Sequence, residues 1–140
     1  GNNRAILRDT GATRSSDFFP LRQTVDTLID QWLTKYPHKN YQLIVAHTHL
    51  HRDHFEADPQ FLDRPNTVMV DKTLEATQTF YGFQNWPQDQ VMFDLGGRPL
   101  QILATPGRSS YLRSLHPTIL YWRFSLSGSP LHPGLGSFLR

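Results

Sequence analysis

The chain has 140 residues, of which 38% are hydrophobic and 19% are charged, and it contains no cysteine. This composition is typical of one globular domain and excludes a disordered or low-complexity protein. The absence of cysteine excludes disulfides, thiolate-bound zinc and iron–sulfur clusters, so that any metal must be held by imidazole and carboxylate groups. The apolar runs are far too short to span a membrane, and no membrane partner is expected.

The formal net charge of +2 conceals an uneven distribution of charge. All twelve acidic residues lie within residues 1–94, whereas the last 46 residues contain five arginines and no acid. Those arginines are spread out rather than clustered, so we do not expect a nucleic-acid partner, although a basic tail that contacts nucleic acid is the alternative. We predict two unlike segments, residues 1–107 and a basic tail at residues 108–140.

The predicted elements of the first segment alternate between strands and helices. In chain order they are a short strand that ends at Asp9 and runs into a glycine-containing turn (4–13), a helix at 20–37, a strand at 41–49, a strand at 66–72, a helix at 72–83 and a hairpin at 90–107. The apolar run at 41–49 predicts a strand buried on both faces. The pair Gly96-Gly97 predicts the turn of the hairpin. This order predicts an α/β fold, a mixed sheet with helices on its faces.

Four of the seven histidines lie in the eight residues from His47 to His54. In an extended segment, residues two apart face the same side, so His49 and His51 are expected to converge on one ion. A turn directly afterwards would bring Asp53 and His54 to a neighbouring point. Imidazole and carboxylate are ligands for zinc, iron or manganese. We interpret the cluster as a metal site rather than a polar loop, and His47 as a structural residue.

Three segments resemble the metallo-β-lactamase superfamily in kind and order. Residues 48–54, Thr-His-Leu-His-Arg-Asp-His, resemble the family's His-x-His-x-Asp-His signature. Residues 5–13, Ala-Ile-Leu-Arg-Asp-Thr-Gly-Ala-Thr, resemble its opening strand and Asp-Thr-Gly turn. Residues 93–107 resemble the stretch that leads to the family's Pro-Gly-His, and the resemblance as a whole covers residues 4–107.

This resemblance implies an αββα sandwich, here incomplete, with one or two metal ions at the sheet edge. The metal is usually zinc, with iron or manganese as alternatives. By the same resemblance His49 and His51 bind the first ion, and Asp53 and His54 bind the second. The implied activity is hydrolysis of a small-molecule ester, thioester, lactone, lactam or phosphoester by water whose pKa the ion lowers to about 7. Asp53 is expected to orient that water or to carry its proton.

Two metal ligands that the family requires have no suitable residue in this chain. Where the family has a histidine after Pro-Gly, this chain has Arg108, and a guanidinium has no lone pair to offer a cation. The family's bridging aspartate lies downstream, but no acid follows Asp94. The sequence therefore leaves two alternatives, a metal-dependent hydrolase by ancestry and an inactive remnant that binds metal weakly.

A shifted reading frame accounts for the unusual tail. Codons can be chosen for Phe-Thr-Gly-Asp-Ser-Leu-Tyr-Pro-Gly, a segment of the family's type, that also encode residues 120–128 when reading starts one base early. We hypothesise that the residues from Arg108 onward are translated out of frame. The same shift would account for the loss of acids and of hydrophobic periodicity.

The remaining predictions concern the compartment and the other histidines and aromatic residues. No signal segment opens the sequence, which favours a cytoplasmic protein, but the first residue is Gly1 rather than Met and leaves the compartment open. The oligomeric state also stays open. We expect the aromatic residues of 80–86 to lie in the core rather than around a substrate, and the isolated His38, His116 and His132 to play no part in the site.

Overall fold

The computed structural model describes residues 1–105 and the backbone of residues 119–124. Its helices and strands are β1 (Arg4–Arg8), α1 (Leu21–Lys35), β2 (Gln42–Ala46), β3 (Thr67–Met69), α2 (Leu74–Tyr81), β4 (Gln90–Asp94), β5 (Pro99–Thr105) and β6 (Ile119–Phe124). Two single turns of 3-10 helix, Arg52–His54 and Asp58–Gln60, lie between β2 and β3. Every helix and strand predicted within residues 1–105 is confirmed.

The described strands form two three-stranded sheets. The first is parallel, in the order β1-β2-β3, and places Ile44 of β2 opposite Ile6 on one side and Val68 on the other. The second is antiparallel, in the order β4-β5-β6. The parallel and antiparallel pairings that one mixed sheet was expected to combine are therefore divided between two sheets. The protein is an α/β protein.

β2 is buried on both faces, as its apolar sequence predicted. Because side chains alternate across a strand, Leu43 and Val45 point to one face, where they cluster with Ile29 of α1. Ile44 and Ala46 point to the other face, where they cluster with residues of the second sheet, Leu100 and Ile102 among them. The two sheets therefore pack face to face, and α1 covers the outer face of the first sheet.

Short-range signals define both ends of α2 and the turn of the β4–β5 hairpin. α2 begins after Thr73, whose hydroxyl accepts a hydrogen bond from the backbone N–H of Ala76, and ends at Gly82 in the left-handed conformation. The β4–β5 hairpin turns at Gly96 and Gly97, which have φ angles of 80° and 75°. Both angles are positive, as a tight two-residue hairpin turn requires.

The aromatic segment after α2 forms part of the core, which confirms the expectation from sequence. Tyr81 and Phe83 are buried between the sheets, and Phe80 and Trp86 pack against them. Within the described ranges, no helix is long and apolar enough to cross a bilayer. Arg108, His116 and His132 lie outside the described residues, as does most of the predicted basic tail.

Candidate metal centre

The histidine cluster lies where the parallel strands β1 and β2 end. β2 ends at Ala46, and residues 47–51 follow as an irregular, bent segment instead of a continued strand. The expectation that His49 and His51 share a face of an extended strand is therefore wrong. A single 3-10 turn follows at Arg52–His54, as the predicted turn required. This bend and turn, rather than strand alternation, bring the imidazoles together.

Two pairs of side chains meet in this segment. His49 Nε2 lies 2.8 Å from His51 Nδ1. His54 Nε2 lies 3.8 Å from a carboxylate oxygen of Asp53. The rings of His49 and His54 are also close, with 3.9 Å between their centroids. The four residues expected to bind metal thus fall into one imidazole pair and one imidazole–carboxylate pair at neighbouring points.

Asp9, directly after β1, contacts the imidazole of His54 and, through Thr48, that of His49. One of its carboxylate oxygens accepts hydrogen bonds from the Thr48 backbone N–H at 2.8 Å and from the Thr48 hydroxyl at 3.1 Å. The other lies 3.0 Å from His54 Nδ1. The Thr48 hydroxyl is also 3.0 Å from His49 Nδ1. We call Asp9, Thr48, His49 and His54 the Asp9 network.

The chemistry of this network determines where the imidazole hydrogens lie. An ionised carboxylate only accepts hydrogen bonds, so Nδ1 of His54 must carry the hydrogen that faces Asp9. The Thr48 hydroxyl donates its single hydrogen to Asp9, so it accepts from Nδ1 of His49. In its neutral form, each histidine then presents a lone pair at Nε2, the atom that faces His51 in the case of His49 and Asp53 in the case of His54. Carboxylates that fix metal-binding histidines in this way are common around metal ions.

The main chain holds Asp9 in an unfavourable conformation. Its φ angle is 61°, in the left-handed region, which few residues other than glycine adopt and which asparagine and aspartate adopt most often among them. Its N–H donates to the Ala46 carbonyl at 2.9 Å, and the next N–H, of Thr10, donates to the His54 carbonyl at 2.7 Å. The Glu56 N–H donates to the Gly11 carbonyl at 3.0 Å. These bonds tie the Asp-Thr-Gly turn directly to the histidine segment.

The electrostatics of the cluster favour a neutral His49. Burial lowers the pKa of His49, and the neighbouring imidazoles of His54 and His51 lower it further, against a smaller opposing effect of Asp9 and Asp53. At neutral pH its Nε2 lone pair is therefore available to a cation. His51 and Asp53 are exposed, so the cluster is open to solvent on the side away from Asp9.

A second buried network, which the sequence reasoning did not predict, lies next to the first. Asp58 accepts a hydrogen bond from the Thr10 hydroxyl at 2.9 Å and from the Lys72 ammonium at 2.9 Å. His47 Nε2 lies 3.3 Å from the same carboxylate. His47 is buried, with 8% of its surface exposed. We call Thr10, His47, Asp58 and Lys72 the Asp58 network.

The charges around Asp58 outweigh the cost of its burial. Burial by itself would raise the pKa of Asp58, but the contacts with His47, Lys72 and Thr10 lower it, and the net shift is downward. The carboxylate is therefore ionised at neutral pH. Between the two networks lies a cavity of about 10 Å³, lined by His47, His49 and Lys72 among others, which is room for about one water molecule.

The cluster supplies two of the three protein ligands that a catalytic zinc ion needs. Two nitrogens on one tetrahedral zinc ion lie about 3.3 Å apart, so His49 Nε2 and His51 Nδ1, at 2.8 Å, need to separate only slightly to share an ion. A third donor is not in place, because no three His, Asp or Glu side chains within residues 1–105 are arranged to hold one ion together.

Comparisons of the chain with protein-family models, with curated proteins and with solved structures find no match.

Proposed function

We propose that the protein is, by ancestry, a metal-dependent hydrolase of the metallo-β-lactamase type. The observation that carries the proposal is the pairing of His49 with His51, beside the pair of Asp53 and His54, at the carboxyl end of a buried parallel strand. The layer order of α1, the parallel sheet and the antiparallel sheet also supports it, because these are three of the layers of an αββα sandwich.

The chain's own residues suggest how such a site would work. When bound, a divalent ion supplies an activated water and polarises the substrate's carbonyl or phosphoryl group. His49 and His51 would hold the ion, with His49 kept neutral by burial and by its neighbours. Asp53 is exposed beside His54, where its carboxylate would accept a proton from a water on the open side of the cluster.

The donor count favours a second candidate for this particular chain, a remnant that binds metal weakly and does not turn over substrate. A catalytic zinc takes three protein ligands and keeps a fourth position open. Residues 1–105 bring only two imidazole nitrogens face to face. Arg108, at the position where the family has its third histidine, cannot donate a lone pair.

Metal binding and turnover, measured together, separate these candidates. The full chain is titrated with Co²⁺ and with Zn²⁺, and it is assayed with a chromogenic ester, a thioester, a lactone, a β-lactam and a phosphodiester. We expect weak binding that is lost in the double variant His49→Ala/His51→Ala and no turnover. His38→Ala is the matched control, because His38 is exposed and contacts the Tyr36 carbonyl far from the site.

Each outcome of this experiment points to one interpretation. Stoichiometric tight binding with turnover of any of these substrates would show an active hydrolase. Binding that survives the double variant, or the absence of any binding, would refute the assignment of His49 and His51 as ligands.

A further inference from the structure

Asp58 lies at the meeting point of three strand ends. Thr10 follows β1, His47 follows β2 and Lys72 follows β3, and all three contact the Asp58 carboxylate at 2.9 to 3.3 Å. Asp58 itself is contributed by the loop after the histidine cluster and is only 8% exposed. A single carboxylate thus joins the ends of all three parallel strands to the loop that follows the cluster.

The Asp58 network is covalently continuous with the Asp9 network. Thr10, the residue after Asp9, donates a hydrogen bond to Asp58, whereas His47, the residue before Thr48, lies beside the same carboxylate without a hydrogen bond to it. Thr10 is restrained most tightly, because it is 1% exposed and its N–H donates to the His54 carbonyl while its hydroxyl donates to Asp58.

This continuity matters because Asp9 has a left-handed conformation. Asp adopts it more readily than most residues other than glycine, but it is less populated than the ordinary regions and depends on its surroundings. A rotation of Asp9 toward an ordinary φ angle would move its carboxylate away from Thr48 and His54. The hydrogens on His49 and His54 would then no longer be directed to Nδ1.

We propose that Asp58 is a positioning residue for the histidine cluster. By holding Thr10, it keeps Asp9 in place, and Asp9 in turn keeps the Nε2 lone pairs of His49 and His54 directed toward a bound cation. This inference rests on the proposed metal-binding function, but the positioning itself exists in the metal-free protein and can be measured there.

The test compares imidazole tautomers in matched variants of the full, metal-free chain. Long-range ¹H–¹⁵N NMR spectra show which nitrogen of each imidazole carries the hydrogen. In the wild-type protein, we expect the hydrogen on Nδ1 of both His49 and His54. In Asp58→Asn and in Thr10→Val, we expect a mixture of the two tautomers at both histidines.

Two control variants separate positioning from a general effect on the fold. Thr10→Ser keeps the hydroxyl that donates to Asp58 and should retain the wild-type tautomers. Asp63→Asn makes the same chemical change as Asp58→Asn in the same loop, but Asp63 is 81% exposed at its side chain and pairs with Arg22. It should also leave the tautomers unchanged.

A Co²⁺ titration of the same proteins then links positioning to metal affinity. Loss of a residue that orients metal ligands typically costs about 10-fold to 100-fold in affinity, and we expect Asp58→Asn and Thr10→Val to bind Co²⁺ about 10-fold more weakly. If the wild-type protein binds no Co²⁺, the proposed function fails, and the tautomer comparison still decides the role of Asp58.

The inference is overturned if the folded Asp58→Asn and Thr10→Val proteins keep wild-type tautomers. It is also overturned if both variants fail to fold while Thr10→Ser folds, because the network would then serve stability alone.

Discussion

Asp9 and His54 are joined at 3.0 Å between a carboxylate oxygen and Nδ1, although one directly follows β1 and the other lies in the 3-10 turn after β2. This contact fixes the imidazole of His54 with its Nε2 lone pair facing outward, toward Asp53. The same carboxylate holds Thr48, whose hydroxyl contacts His49. The residue that directly follows the first strand thus orients two histidines of the cluster.

Replacing Asp9 by asparagine should change the tautomer of His54. Asparagine tolerates the left-handed conformation of residue 9, so the backbone should persist, but its amide nitrogen cannot accept the hydrogen of His54 Nδ1. We expect the hydrogen to move to Nε2 and the affinity for Co²⁺ to fall by about 10-fold to 100-fold. Asp17→Asn, at an exposed position of the loop after β1, is the control. An Asp9→Asn protein with unchanged Co²⁺ affinity would contradict the orienting role.

The stability that Asp58 contributes should disappear in acid. Because its pKa is lowered in the folded protein, its contribution is fully present above the unfolded pKa of about 3.9 and is lost as the pH falls through the folded pKa. The groups that face it are Lys72, His47 and the Thr10 hydroxyl, with Asp9 on the other side of His47 at 3.9 Å.

Denaturant unfolding of the wild-type protein and of Asp58→Asn at several pH values measures this contribution. At pH 7 we expect Asp58→Asn to lower the free energy of unfolding by about 2–4 kcal/mol, the usual range for a buried, paired carboxylate that loses its charge. The difference between the two proteins should shrink below pH 4. A difference that stays constant down to pH 2 would refute the assignment.

Two glycines with positive φ angles should differ in their tolerance of alanine. At Gly82, with φ 78°, an added Cβ meets no atom within 4 Å, so Gly82→Ala costs only the left-handed conformation, about 1–2 kcal/mol. At Gly96, with φ 80°, the added Cβ would lie 2.9 Å from the Asn3 backbone nitrogen and 2.3 Å from its side chain. Gly96→Ala should therefore lower the melting temperature clearly more than Gly82→Ala, and equal effects would show that the hairpin turn and Asn3 are not in contact.

The coding DNA tests the origin of the residues from Arg108 onward. If they are out of frame, the DNA for residues 120–128, read from its second base, should encode a Thr-Gly-Asp segment of the family's type. Upstream, the same shifted frame should encode a histidine across the codons of Ser109 and Ser110, shortly after Pro106-Gly107. A single long frame without these motifs would reject the hypothesis and leave a genuine basic tail.

The elements themselves could be predicted because each has a local signal. Side chains alternate between the two faces of β2, and both sets are apolar, Leu43 and Val45 on one face and Ile44 and Ala46 on the other. Both faces must therefore be covered, one by α1 and the other by the second sheet. The left-handed glycine that ends α2 and the Gly96-Gly97 turn also depend on neighbouring residues alone. The division into two sheets could not be predicted in this way, because strand pairing joins segments that are distant in the chain.

The sequence by itself determined which residues could supply metal ligands, since His49, His51, Asp53 and His54 lie within one short segment. Only the tertiary structure decided how they are oriented. The conformation expected for the segment, an extended strand, was wrong, and the imidazoles meet through a bend and a 3-10 turn. The residues that direct them, Asp9 and Asp58, were not predicted, because a hydrogen-bond partner is chosen by three-dimensional proximity, and that proximity exists only once the three parallel strands end side by side.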